Sequence, residues 1–116
     1  MQDIYILYFS FPIEGPQFTE KPKNVTLNVG GSGKTRCAGT GIPVPKITWV
    51  RAALKSALPK NFKVLENETM IVEKADPKNA GTYFCMLANG PTSISVEFEV
   101  IVNGEFEFYA PFTLVS

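Results

Sequence analysis

The sequence predicts an all-β protein folded as a two-sheet antiparallel Greek-key sandwich, and three observations carry that expectation. Apolar and polar residues alternate in short runs, as in Val25, Leu27 and Val29 or Ile94, Val96, Phe98 and Val100, which gives a strand one buried and one solvated face. Gly, Pro and Asn punctuate the runs at close spacing, and no stretch holds a helical period over three turns. Two cysteines, Cys37 and Cys85, bracket the single Trp49, and two facing sheets about 10 Å apart need a covalent or hydrophobic pin at mid-core.

At 116 residues with 45% apolar content, the chain is one domain long and can fill a two-layer core. Eleven basic residues balance eleven acidic ones, so net charge gives no reason to expect nucleic acid or an anionic membrane as partner. Ile4 to Ile13 is the longest apolar stretch. It is shorter than the about 20 residues of a bilayer crossing, so membrane association is expected only through other parts of a larger parent protein. Asp3 stands where an export signal needs basic residues, and no small-x-small cleavage site follows. The parent is therefore expected to begin upstream, with Ile4 to Phe11 either a β-rich flank or a degenerate export signal. The organisation predicted is a flank at 1–15, a domain at 16–102 and a second flank at 103–116.

Within the domain the elements follow in order. Val25 to Val29 make a strand ended by Gly30-Gly31, and Lys46 to Val50 make another after the Pro43 and Pro45 loop. From Arg51 to Leu65 the pattern is least legible; Ala52 to Leu58 has room for a helical turn that Pro59 stops. Met70 and Val72 alternate with polar neighbours. Thr82 to Ala88 forms a strand, and Asn89-Gly90 signals a two-residue hairpin into the Ile94 to Val100 run. Asn103-Gly104 repeats that signal before Glu105 to Tyr109. A last strand already paired on both edges has no place for a new partner, so the residues after it are read as flank.

Trp49 lies twelve residues after Cys37, and Tyr83-Phe84-Cys85 closes the pattern 48 residues after the first cysteine. Cys, Trp and Tyr-x-Cys in this order are the signature of an immunoglobulin sandwich. Over Pro16 to Val102 the chain resembles intermediate-set (I-set) immunoglobulin domains of adhesion molecules, receptor ectodomains and giant muscle proteins. Pro16-Gln17-Phe18-Thr19-Glu20-Lys21-Pro22 is similar to the family's opening strand. The run from Gly41-Ile42-Pro43-Val44-Pro45 to Trp49 is similar to its Gly-x-Pro-x-Pro-x-x-x-Trp stretch, and Ala80-Gly81-Thr82-Tyr83-Phe84-Cys85 to its closing motif. The resemblance implies a core signature of Trp49, Tyr83 and Gly81, with the Tyr83 hydroxyl bonding backbone a few residues upstream. It also implies a Cys37 to Cys85 disulfide in a secreted chain, and two buried thiols in a cytosolic one.

Two departures from the family stand out. Asn79 and Asn61 occupy positions where Asp and Arg are usual, which predicts a neutral amide pair in place of a charge pair. Gly33 and Thr35 stand where core-facing apolar residues are usual, which predicts a weakly packed strand before Cys37.

Catalytic chemistry has little to draw on, because the chain contains no histidine. Ser-His-Asp, Cys-His and histidine-zinc arrangements are thus excluded, and no Asp-rich calcium loop is present. Neither an enzyme, a small-molecule substrate, a metal nor a cofactor is expected. Gly30-Gly31-Ser32-Gly33-Lys34-Thr35 imitates the end of a phosphate-binding loop, but Asn28 replaces its first glycine and Gly39, Gly41, Pro43 and Pro45 preclude the helix it must open.

Asn24-Val25-Thr26 and Asn67-Glu68-Thr69 are glycosylation acceptors if the chain is secreted. If Trp49, Tyr83, Cys85 and Leu87 face inward, alternation turns Val50, Phe84 and Met86 outward. That apolar cluster reads as a protein contact, as scattered surface residues, or as a face covered by the flanks. The expected function is a non-catalytic recognition module of a cell-adhesion molecule or receptor ectodomain, binding a protein homophilically or heterophilically at the cell surface or outside it. The alternative is a structural domain of an intracellular sarcomeric or cytoskeletal scaffold.

Overall fold

The structure is a computed structural model that describes residues 12–104. The N-terminal apolar run up to Phe11 and the flank from Glu105 onward lie outside the described residues. The described residues form nine strands: β1 (Glu14–Glu20), β2 (Val25–Asn28), β3 (Gly33–Arg36), β4 (Ala38–Ile42), β5 (Lys46–Arg51), β6 (Phe62–Val64), β7 (Thr69–Val72), β8 (Gly81–Asn89) and β9 (Thr92–Asn103). One layer has the order β2-β9-β8-β5, and the other holds β3-β7-β6. Only Cys37 separates β3 from β4, so the β1-β4 pair continues this second layer.

Every pairing is antiparallel except that of β2 with β9. The exception follows from a crossing between layers. After pairing with β4, the chain passes through buried Pro22 and joins the other sheet without reversing, so β2 lies parallel to the last strand.

Burial follows the alternation in the sequence: β7 and β8 bury every second residue. The hairpin joining β8 to β9 is shifted by one residue from Asn89-Gly90. Asn89 pairs with Thr92, and Gly90-Pro91 form the loop, with Gly90 at φ 75. Pro91 holds φ near −65° and cannot take the second positive φ that a type I′ turn demands. Glycine first with a negative-φ residue second is the pattern of type II′. Asn89 is thereby left buried in the strand, where its Nδ2 donates to the carbonyls of Glu14 (2.6 Å) and Pro43 (3.1 Å) and ties the start of β1 to the loop before β5.

The illegible stretch contains a short 3₁₀ turn at Ala53–Lys55 and the three-residue β6. Leu54 and Lys55 adopt φ of 57 and 47, and Leu54 is 98% exposed. The expected weakness before Cys37 is made good from a neighbouring strand. A Cβ on Gly33 would stand 2.4 Å from Leu27 Cδ2 and 2.9 Å from Val25 Cγ1, so β2 already fills that space. Thr35 is buried, with its hydroxyl accepting the Lys23 N–H at 2.7 Å.

Candidate protein-recognition face

The face is positioned by a core whose inward side chains fix which way their neighbours point. Cys37 and Cys85 form a disulfide between the layers, with Cα atoms 6.6 Å apart. Trp49 packs edge-on against Phe98 at 5.6 Å, and Tyr83 lies between Phe62 (5.1 Å) and Phe98 (5.8 Å). The Trp49 Nε1–H donates to Glu68 Oε1 at 3.2 Å, giving the indole its polar partner.

Tyr83 enters β8 through a fixed corner. Its hydroxyl donates to the Asn79 carbonyl at 2.7 Å, and Gly81, two residues before it, has φ 148. Asn79 and Asn61 exchange hydrogen bonds through their side-chain amides at 2.8 and 3.0 Å. Asn61 Nδ2 also donates to the Glu73 carbonyl, and Asn79 Oδ1 accepts the Asp76 N–H at 2.7 Å. No charge is needed, because two amides supply matched donors and acceptors. Burial raises the Tyr83 hydroxyl pKa above its ordinary value, and the Arg51 guanidinium, 5.7 Å from the ring centroid, acts in the opposite direction.

With those residues inward, β5, β8 and β9 turn a second set outward. Val50 pairs with Phe84 and Phe84 with Glu97, while Thr48 pairs with Met86 and Met86 with Ser95. Val50, Phe84 and Met86 are half-buried, not fully exposed, and with Lys55 and Ser95 they line one hollow of about 170 Å³. Sequence reasoning missed Lys55, which the 3₁₀ turn after β5 brings to this face, and Ser95, which the hairpin register places beside Met86. Counting back from the hairpin would have found the serine. Nothing in the local pattern marks the lysine, because its place depends on two left-handed backbone residues. A larger hollow, about 500 Å³, is polar and lies between β1 and β4, away from this cluster.

Both sequon asparagines are exposed and use the side-chain oxygen locally: Asn24 Oδ1 accepts the Glu99 N–H at 2.9 Å, and Asn67 Oδ1 the Thr69 N–H at 3.1 Å. Neither Nδ2, the atom that carries a glycan, donates a hydrogen bond among the described residues. Among those residues, too, no three His, Cys, Asp or Glu side chains gather as a metal ion would require.

Comparison with known proteins gives the same frame. The family model "Immunoglobulin I-set domain" matches residues 16–102. Hemicentin-1 of Homo sapiens is 35% identical over 75 residues, 64% of this chain and 1% of the relative. Smooth-muscle myosin light chain kinase of Gallus gallus is 28% identical over 92 residues, 77% of this chain and 5% of the kinase. Among solved structures, extracellular domains 3–5 of Drosophila OTK superpose with a TM-score of 0.70 at 27% identity, covering 78% of this chain and 30% of that one. The chain thus spans a small fraction of the length of these relatives.

Proposed function

The chain belongs to the immunoglobulin I-set family, and from that premise we propose that it is a non-catalytic protein-recognition module of a cell-adhesion molecule or receptor ectodomain. The observation that carries this reading is the outward apolar hollow of Val50, Phe84 and Met86 on β5 and β8. Phe and Met are favoured at interface centres, and a rim of Lys55, Ser95 and Glu97 matches the polar border of such contacts. Cys37 and Cys85 meet at bonding distance between the layers, a bridge that an oxidising location would preserve. Similarity to hemicentin-1 and to OTK extracellular domains supports the same placement.

The test uses the full chain displayed as tetramers and applied to intact cells of the source organism. Binding is expected, and a Phe84→Asp variant that keeps its circular dichroism spectrum is expected to lose it. Unchanged binding by that variant would exclude the β5-β8 face as the contact.

The second reading, a structural domain in an intracellular muscle or cytoskeletal scaffold, is favoured by the similarity to smooth-muscle myosin light chain kinase. Mass spectrometry of the protein from its native source separates the two. A disulfide with glycan on Asn24 or Asn67 supports the ectodomain; two free thiols with bare asparagines support the scaffold.

A further inference from the structure

A net charge of zero conceals an uneven distribution. Lys21, Lys23, Lys34 and Arg36 line one open groove of about 330 Å³, with Glu20 beside them. The Glu20 carboxylate is already engaged, its Oε1 accepting from Arg36 Nη1 at 2.6 Å. Four cations therefore meet one carboxylate, and the three lysines have no ion-pair partner among the described residues.

The backbone holds this array in place. The Lys23 N–H bond to Thr35 Oγ1 fastens the segment after β1 to β3, and Pro22 is buried between the two lysines of that segment. Arg36 is held a second time, by Nε donating to the Asn67 carbonyl at 2.8 Å. Alternate residues of a strand share a side about 6.8 Å apart. Lys34 and Arg36 share one side of β3, and Lys21 and Lys23 line the same groove from the segment after β1, so positive charge is spread along the groove.

A single phosphate needs donors converging on one point. A spread patch instead matches a chain that carries its anionic groups in series. The groove offers lysines and threonine hydroxyls. Among the described residues it has no aromatic ring on which a base could stack and no apolar pocket for the side chains of a peptide. We propose that this groove binds a linear sulfated polysaccharide. Meeting one in nature presupposes the extracellular reading above, whereas the binding itself does not, so the two stand or fall separately.

The experiment passes the full chain over immobilised heparin in a salt series. Retention is expected near physiological ionic strength. A Lys21→Ser/Lys23→Ser/Lys34→Ser variant, checked for fold by circular dichroism, is expected to bind at least tenfold more weakly. Its log affinity should fall less steeply with log salt, by about 0.7–0.9 per lysine removed if counterions are released as from nucleic acids. Lys60→Ser/Lys78→Ser, outside the groove, should bind as the unaltered chain does. Absence of retention overturns the proposal. So does equal weakening by the Lys60/Lys78 pair, or displacement from heparin by single-stranded DNA or unsulfated hyaluronan as readily as by soluble heparin.

Discussion

Tyr83 concentrates several residue-scale demands in one side chain: it fills the core between Phe62 and Phe98, and its hydroxyl still reaches the Asn79 carbonyl. Its place two residues before Cys85 made that role legible in the sequence, because the corner depends on local spacing. The Asn61 and Asn79 pair was legible only through the family resemblance, since nothing local links residues 18 positions apart. The raised pKa gives the corner a pH dependence with a definite sign. Burial favours the neutral phenol over the phenolate, with Arg51 offsetting part of the effect. The stability this contributes is fully present below the unfolded-state value of about 10 and is lost as pH rises through the raised folded value. Thermal melts across that alkaline window should show the midpoint falling more in the unaltered chain than in Tyr83→Phe. At neutral pH the variant should be less stable by about 1 kcal/mol, the net value of one lost hydrogen bond.

At the scale of elements, β3 shows where single-sequence reading stops. Its thin pattern, Gly33-Lys34-Thr35-Arg36, implies a poorly packed strand when read by itself. The space over Gly33 belongs to Val25 and Leu27 of β2, an element of the opposite layer, and no local pattern reports that. The hairpin after β8 errs in the other direction: Asn89-Gly90 is a strong local signal, and the adjacent Pro91 moves the loop by one residue. A strand's existence was thus readable from its own alternation, while its packing partner and exact turn required neighbours. The Gly33 geometry makes a sharp prediction. Restoring the apolar side chain usual at this position, by Gly33→Val, should lower stability by about 1–3 kcal/mol, the ordinary cost of overpacking. A urea titration reads this as a lower midpoint at unchanged slope; a higher midpoint would mean that β2 yields and the strand was underfilled after all.

For the molecule as a whole, the two layers are joined by a core of modest size and one covalent link. The Cys37 to Cys85 bridge closes a loop of 48 residues, for which the chain-entropy model gives about 4 kcal/mol of stabilisation. A domain of this length has about 5–15 kcal/mol in all, so the bridge is a large share of what holds it folded. Reduction of the full chain, or the Cys37→Ala/Cys85→Ala variant, should therefore lower unfolding free energy by about 4 kcal/mol, read from the urea midpoint. The variant should lose somewhat more than the reduced protein, because two buried thiols still fill space that two alanines leave empty. A small loss would mean that the aromatic column of Phe62, Tyr83, Phe98 and Trp49 suffices alone, and the fold would then tolerate a reducing compartment. A loss of the predicted size would make the fold most stable in an oxidising compartment, which links the redox state of two core cysteines to where the proposed recognition face on β5 and β8 is best held.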